Sequence, residues 1–146
     1  MREKLLIKKK IFRFFILLTL SLGLASCYAN MKVRFKSEAD TNKGRPFYVM
    51  VKKADDKTYV TDTYQSVSKQ LFAYPADPQV LYSKVIFPGK IEETLISKEG
   101  DLPIVFYFMF TEPGSKWRTM IQRPLPSEIE IDLGENQIRK VLIRKK

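Results

Sequence analysis

The 146-residue chain is predicted to be a mainly β protein, a β-sandwich with one or two short helices. Short runs in which apolar and polar residues alternate recur along the sequence, and a period of two is typical of strands with one buried face. Turn-forming residues separate these runs. Only residues 61–72 carry apolar side chains at helical spacing. One-sided strands must bury their apolar faces against another layer, so the pattern predicts two packed sheets.

The first predicted strand is "MKVRFK", residues 31–36. Its apolar side chains face the core, and its basic side chains form a stripe on the opposite face. The members of this basic stripe are Lys32, Arg34 and Lys36. A loop of turn-forming residues, 37–46, comes next. A second strand is predicted over residues 47–52, and a charged turn over residues 53–57.

The predicted helix covers residues 61–72, with Thr61 or Asp62 as its N-cap. Four residues share one face of this helix, and they are Tyr64, Val67, Ser68 and Leu71. The segment is short, so its stability is expected to come from packing on the sheet. Pro75 and Pro78 end the helical stretch, because proline lacks the backbone N–H that a helix interior needs.

The remaining predicted strands fill the second half of the chain. Residues 80–89 form one strand, and residues 90–97, "KIEETLIS", fit a strand or a short helix, with alternation favouring a strand. Residues 103–110, "PIVFYFMF", are apolar on both faces, which is typical of a central strand covered on both sides. "WRTMIQ" is its predicted hairpin partner. Residues 127–146 contain a final hairpin around the sequence Gly-Glu-Asn.

Residues 1–26 have the layout of a secretory signal peptide. A basic segment precedes the apolar run "FFILLTLSLGL", which is shorter than the roughly 20 residues that a membrane-spanning helix needs. The following "LASC" resembles the bacterial lipobox, which implies cleavage before Cys27 and acylation of that cysteine. We therefore expect a lipidated tether at residues 27–30 and a sandwich domain at residues 31–146. The alternatives are a transmembrane anchor and an unmodified, inert cysteine.

Two features of the composition restrict the chemistry. The chain has no histidine, which excludes Ser-His-Asp and Cys-His catalysis and the His ligands of most catalytic zinc sites. The single cysteine excludes an internal disulfide and a Cys-only zinc site. We expect no catalytic residue, no cofactor and no metal. Residues 27–146 contain 20 basic and 15 acidic residues, a mild bias that predicts no nucleic-acid partner.

Three further groups of residues have an ordinary structural interpretation. Glu92 and Glu93 are neighbours on a strand and point to opposite faces, so we expect one to be solvated and the other to pair with a basic residue. Asp55 and Asp56 lack the ligand spacing of a calcium loop and are interpreted as part of the charged turn. A set of aromatic residues is interpreted as core rather than as the lining of a ligand pocket. This set is Phe106, Tyr107, Phe108, Phe110 and Trp117.

The basic stripe also has a functional interpretation. Only three residues separate Cys27 from the first strand, and an extended chain of that length reaches about 10 Å. Lys32, Arg34 and Lys36 are therefore expected near lipid headgroups, where they would add electrostatic attachment. The alternative is a solvated face, or an edge that its lysines protect from aggregation.

The order of several motifs resembles the TssJ-type outer-membrane lipoproteins of type VI secretion systems. After the lipobox come "KVRFK", "TNKGRPFYVMV", a helix, "IFPG" before a charged strand, an apolar strand and "KWR". The resemblance implies a transthyretin-like β-sandwich with added helices and no catalysis. It implies a lipid anchor at the periplasmic face of the outer membrane, which Tyr28 after the cysteine also fits. The implied partner is a TssM-like inner-membrane protein.

In such lipoproteins the loop between the first two strands contributes to the contact with that partner. The corresponding residues here are Ser37, Glu38, Ala39, Asp40, Thr41, Asn42, Lys43, Gly44 and Arg45. Lys43 and Arg45 are expected to offer charged contacts. The alternative is that Asn42, Gly44 and Pro46 only shape the turn.

Two other functions are compatible with an exported domain of this kind. One is an envelope lipoprotein that binds a small ligand or inhibits an enzyme, which an open apolar cavity between the sheets would favour. The other is a hydrolase that uses carboxylates alone, for which the sequence offers no suitable group of residues. We expect a structural, non-enzymatic subunit.

Overall fold

The computed structural model describes residues 30–144 of the chain. The predicted signal peptide and Cys27 lie outside the described residues. The described part contains eight β-strands, two α-helices and a short 3-10 helix over Thr41–Gly44. In chain order the other elements are β1 (Asn30–Ser37), β2 (Phe47–Lys53), α1 (Asp56–Thr61), α2 (Tyr64–Leu71), β3 (Val80–Ile86), β4 (Ile91–Ser97), β5 (Ile104–Met109), β6 (Arg118–Ile121), β7 (Glu128–Leu133) and β8 (Ile138–Arg144).

The strands form two four-stranded sheets. The first sheet has the order β4-β1-β7-β8, and the second has the order β3-β2-β5-β6. β1 runs parallel to β7, and every other pair of neighbours in the two sheets is antiparallel. The predicted mainly β sandwich with short helices is therefore confirmed. The short-helix alternative for residues 90–97 is wrong, because that stretch is strand β4.

The main core lies between the two sheets and contains 18 buried apolar residues. β1 contributes Met31, Val33 and Phe35, all of them 0% exposed. The ring of Phe35 packs edge-on against Phe106 and Phe108, with ring centroids 6.2 and 5.8 Å apart. Each large apolar side chain buried in this way stabilises the fold by about 1.5–3 kcal/mol. This filled layer counts against the small-ligand alternative, which would need an open cavity there.

A second, smaller core lies on the outer face of the second sheet. Every residue of β5 is buried, with alternate side chains pointing into the sandwich and toward the helices. Val105, Tyr107 and Met109 pack on the helix side, where Val67 of α2 is fully buried. Trp117 joins this second cluster. β5 is therefore the predicted central strand, and the aromatic set is core.

Residues 53–57 differ from the prediction. The expected charged turn is wrong, because Asp55 caps helix α1 and its Oδ1 accepts a hydrogen bond from the backbone N–H of Thr58 at 2.8 Å. Hydrogen bonds from the side chain and the backbone of Thr58 lower the pKa of the Asp55 carboxyl. A carboxylate that satisfies a free N–H group in the first turn favours helix over turn.

The second helix also starts later than predicted. It begins at Tyr64, and its N-cap is Thr63, not Thr61 or Asp62. Thr63 and Ser66 form a capping box in which each side chain bonds the backbone N–H of the other residue. This reciprocal cap stops the helix from extending backward. Asp62, predicted as a cap, instead turns its carboxylate inward to Lys52, at 3.2 Å.

Candidate partner-binding end of the sandwich

Four connections form the end of the sandwich opposite Asn30. They are residues 38–46, 87–90, 110–117 and 134–137, and we call this surface the loop end. β1 has eight residues, and a strand rises about 3.3 Å per residue, so the loop end lies about 25 Å from Asn30. The loop between β1 and β2, predicted to bind a partner, belongs to this surface.

Asn42 joins the first connection to the third. Its side-chain Nδ2 donates to the carbonyls of Arg45 and Pro46, both at 3.0 Å, and its Oδ1 accepts from the backbone N–H of Thr111 at 2.8 Å. The residue is 3% exposed and has a φ of 53°. Asparagine occupies this left-handed region more readily than most other residues. Asn42 therefore shapes the loop and leaves no free side-chain group for a partner.

Further contacts connect the other loops. The Glu38 carbonyl accepts a hydrogen bond from the Gly89 N–H at 3.0 Å. Gly89 has a φ of +81°, and a Cβ there would meet the backbone of Ala39 at 3.6 Å. The Gly114 N–H donates to the Asn136 carbonyl at 2.8 Å. The four connections therefore behave as one hydrogen-bonded unit, not as independent loops.

Ion pairs join the first connection to residues of β8 and of the third connection. Arg139 donates two hydrogen bonds to Glu38, at 2.8 and 3.1 Å, and lowers the pKa of that carboxyl. Lys43 lies 2.8 Å from Glu112. The hydrogen bond from Lys43 lowers the pKa of the Glu112 carboxyl, and Arg45 contributes less, at 4.0 Å. These groups are about half exposed, so each pair contributes little to stability and its atoms can be reached by a partner.

The loop end is built for polar contact with a large molecule. The side chains of Lys43, Arg45 and Glu112 are 52%, 51% and 64% exposed. The cleft beside them has a volume of about 10 Å³, which accommodates about one water molecule. Among residues 30–144, no group of three or more acidic or cysteine side chains is placed to hold a metal ion. The geometry therefore fits a protein partner better than a small substrate.

The structure divides the predicted loop residues into two sets. Ser37, Thr41 and Asn42 are buried and hold the loop in place. The other members are exposed, and they are Glu38, Ala39, Asp40, Lys43, Gly44 and Arg45. A partner would meet this second set.

The basic stripe lies on the outer face of the first sheet, among carboxylates. Arg34 sits between Glu93 and Glu130, with nitrogen–oxygen distances of 2.9 and 3.0 Å. Lys32 lies 3.1 Å from the other oxygen of Glu93, and its hydrogen bond lowers the pKa of that carboxyl. Lys36 is exposed and has no ion pair within residues 30–144. Two of the three positive charges are thus balanced within the face, and attachment to lipid stays a prediction.

The neighbouring glutamates are both paired. Glu93 pairs with the stripe, and Glu92 lies 2.8 Å from Lys84 of β3. The expectation that one of the two would be simply solvated is wrong. Because Glu92 points toward the other sheet's edge strand, its pairing with Lys84 crosses the side of the sandwich.

A buried polar cluster under the helices was not expected from the sequence. The side chains of Lys52 and Asp62 are 5% and 9% exposed, and Lys52 also donates to Gln70 at 2.8 Å. The Tyr107 hydroxyl donates to the same carboxylate at 2.5 Å. Burial, together with Asp62, raises the pKa of Tyr107 far above its usual value. One signal was available: Lys52 follows Met50 at a spacing of two, on a face that is otherwise apolar.

Within the described part of the chain, no helix is long and apolar enough to cross a membrane.

Solved structures with the same fold come from type VI secretion. The lipoprotein TssJ1 from Pseudomonas aeruginosa matches with a TM-score of 0.64 at 12% identity, covering 81% of this chain and 98% of the other. A chain in the structure of the T6SS protein TssM C-terminal domain (869-1107) from EAEC matches with a TM-score of 0.61 at 14% identity, covering 80% and 99%. Serratia marcescens Lip, a membrane-bound component of the type VI secretion system, matches with a TM-score of 0.56 at 16% identity, covering 76% and 96%.

The fold therefore defines the class: it is that of the TssJ and Lip lipoproteins, as the sequence motifs suggested. At these identities the likeness concerns the fold alone. The family follows from the sequence comparison. The chain belongs to the family described as IglE, N-terminal domain, whose model matches residues 48–133. No curated protein sequence matches the chain significantly.

Proposed function

We propose that the protein is a lipid-anchored structural subunit of a type VI secretion membrane complex. In this proposal residues 1–26 direct export, and Cys27 carries the acyl chains that hold the outer membrane. The sandwich domain, residues 31–146, binds the periplasmic part of a TssM-like inner-membrane protein. The protein acts by connecting two membranes and not by catalysis. The fold shared with TssJ and Lip and the family membership support this proposal.

The position of the loop end carries the proposal. Cys27 precedes Asn30 by only three residues, and β1 leads from Asn30 to the loop end, about 25 Å away. An acyl anchor at Cys27 would thus leave the loop end on the side of the domain far from the lipid. A protein that reaches across from the opposite membrane would meet this end first.

The predicted partner is supported by two of the similar structures. One is the structure of the TssM C-terminal domain, and another is a type VI membrane complex, which matches with a TM-score of 0.59 at 14% identity. Both support a partner of the TssM kind. Lys43, Arg45 and Glu112 form an exposed, charged surface. Such a surface fits the polar part of a protein–protein interface.

Metabolic labelling with palmitate tests the anchor. We expect the wild-type chain to incorporate the label and Cys27→Ser to incorporate none, because the sulfur and the new amino group are the acylation sites. A matched control is Ser26→Ala, which keeps a small residue before the cysteine and should still be labelled. Equal labelling of Cys27→Ser and wild type would contradict the anchor.

Affinity capture tests the partner surface. The chain from residue 28 onward is immobilised, and the inner-membrane protein that it retains is measured. We expect Lys43→Glu with Arg45→Glu to weaken this capture at least tenfold, because both side chains are exposed at the loop end. Lys57→Glu with Lys69→Glu makes the same charge change on the helices and should leave capture unchanged. If the loop-end pair of variants captured as much of the inner-membrane protein as the helix pair does, the loop would not be part of the interface.

A further inference from the structure

The net positive charge of the domain is concentrated on one side of the sandwich. Within the described residues, 113–127 and 136–144 together hold six basic residues and no acidic one, whereas the rest of residues 30–144 holds twelve basic and fifteen acidic residues. These two segments contain β6 and β8. Both are edge strands, β6 of the second sheet and β8 of the first. The basic excess therefore lies along two exposed edges.

Each edge has backbone groups that no strand of its own sheet uses. The Trp117 carbonyl accepts from Phe108 of β5, so the alternating pattern of a strand turns the backbone groups of Arg118 and Met120 outward. The Ser127 carbonyl accepts from Lys32 of β1, so alternation along β7 turns the backbone groups of Glu130 and Asp132 toward β8. Their register partners, Leu142 and Lys140, direct their own backbone groups toward β7. Val141 and Ile143 of β8 therefore present their N–H and C=O groups outward.

A cleft of about 220 Å³ separates the two edges. Its basic lining residues are Lys116, Arg118, Arg139 and Lys140. The edges meet only at the loop end, where the Ile138 N–H donates to the Lys116 carbonyl at 2.7 Å. β6 has four residues and β8 has seven, so the far half of β8 has no strand opposite it. Ile143 faces the core side there, yet it is 52% exposed.

The charges that line this cleft are not all balanced. Arg139 pairs with Glu38, and Arg118 donates to the Asp62 carbonyl. Lys116 and Lys140 are exposed and have no ion pair among residues 30–144. Lysines on an edge ordinarily prevent pairing with another copy of the same strand. The same lysines favour a strand of opposite charge, because cross-strand pairs of unlike charge are stabilising.

We propose that the β6–β8 side is a second binding surface, which takes an acidic, extended segment of another protein as an added strand on β8. The segment pairs with the outward backbone groups of Val141 and Ile143. Its carboxylates meet Lys116 and Lys140, and an apolar side chain covers Ile143. Backbone hydrogen bonds supply affinity in this mode of recognition, and the side chains select the partner. This surface adjoins the loop end at Lys116 but does not include Lys43 and Arg45, the side chains proposed for the partner contact there.

Fluorescence anisotropy with designed peptides tests the proposal on the full-length protein in detergent. The probe is a labelled ten-residue peptide of alternating glutamate and valine. One control peptide has lysine in place of glutamate. A second has proline at alternate positions, which removes the backbone N–H groups at those positions. We expect the acidic peptide to bind at least tenfold more tightly than either control. We also expect its binding to weaken as salt is raised.

Four variants separate charge from strand addition. Lys116→Glu with Lys140→Glu should weaken binding at least tenfold, and Lys36→Glu with Lys90→Glu, exposed lysines elsewhere, should not. Ile143→Pro removes one outward N–H near the strand end and should also weaken binding tenfold. Lys43→Glu, at the loop end, should leave peptide binding intact while it weakens capture of the inner-membrane protein, so the two proposals fail independently. Circular dichroism checks that each variant is folded.

Three results would overturn the proposal. Equal binding of the acidic and proline peptides would show that no strand is added. Self-association of the protein that Lys140→Glu abolishes would assign the edge to a second copy of this chain. Binding to anionic vesicles that Lys116→Glu with Lys140→Glu abolishes, without peptide binding, would assign it to a membrane surface.

Discussion

At the scale of single residues, Asn42 has the clearest structural role at the loop end. Its side chain makes three hydrogen bonds from a nearly inaccessible position. Each buried polar group that loses its partner costs about 1–3 kcal/mol. We therefore expect Asn42→Ala to lower the free energy of unfolding by about 3 kcal/mol, measured by urea denaturation.

Lys43 provides the matched control for Asn42. It follows Asn42 with a similar φ, 55°, a conformation that costs a residue with a side chain about 1 kcal/mol and glycine almost nothing. Lys43→Gly also removes the exposed ion pair with Glu112, which is worth little. We expect Lys43→Gly to be as stable as the wild type or slightly more stable. A large loss of stability in Lys43→Gly, with none in Asn42→Ala, would mean that charge and not the amide holds the loop.

At the scale of elements, the strands were predictable and the helix starts were not. β1 and β5 follow from side-chain patterns that repeat over the whole element, and local irregularity does not alter such a period. The start of a helix depends on one or two hydrogen bonds. Asp55 and Thr63 each cap a helix, and the sequence offered Asp62 as an equally good cap. Only the fold reveals that Asp62 has a buried lysine as its partner.

The same limit applies to the loop end. The sequence predicts which loop lies between the first two strands and that Asn42 is a turn former. It does not predict that this asparagine bonds to Thr111, which is 69 residues away. It also places Lys32 and Arg34 on an outer face, but the carboxylates beside them come from β4 and β7, whose positions depend on the sheet order. Contacts between distant segments are set by topology, which no local pattern encodes.

Asp62 holds the helices on the second sheet, and its removal tests this layer. Asp62→Asn leaves the Lys52 ammonium buried without a counter-charge, and breaking a buried pair in this way costs about 3–5 kcal/mol. We expect a loss of about 3 kcal/mol in the free energy of unfolding. The fluorescence of Trp117, the only tryptophan, reports on this layer, since its ring lies 5.1 Å from that of Tyr64 and 5.7 Å from that of Tyr107.

Two further variants show whether charge is the cause. Asp101→Asn changes an exposed carboxylate between β4 and β5 and should alter stability by no more than about 0.5 kcal/mol. Lys52→Met combined with Asp62→Asn removes the buried charge as well and should recover part of the loss. If the double variant is no more stable than Asp62→Asn, the hydrogen bonds of Asp62, and not its charge, stabilise the layer.

At the scale of the whole molecule, the charge is distributed unevenly over three surfaces. The outer face of the first sheet alternates basic and acidic side chains across β4, β1 and β7. The loop end carries paired charges, with Glu38 and Lys43 of the first connection bonded to Arg139 of β8 and to Glu112. The β6–β8 side carries the basic excess. Attraction to an anionic surface depends on unbalanced charge, so the three surfaces should respond differently to an anionic membrane.

Binding to anionic vesicles tests whether the basic stripe faces the membrane, and Glu93 is the residue that separates the possibilities. A protein chain from residue 28 onward, without acyl groups, is mixed with vesicles that contain phosphatidylserine. An unbalanced basic residue near such a surface contributes about 1 kcal/mol, or about fivefold in affinity.

Glu93→Gln removes the carboxylate that both Lys32 and Arg34 contact. If the stripe faces lipid, this variant should bind several-fold more tightly and Lys32→Glu more weakly. Glu112→Gln, which makes the same change at the loop end beside Lys43, should bind as the wild type does. Equal affinity for Glu93→Gln and the wild type would show that the stripe is a solvated face.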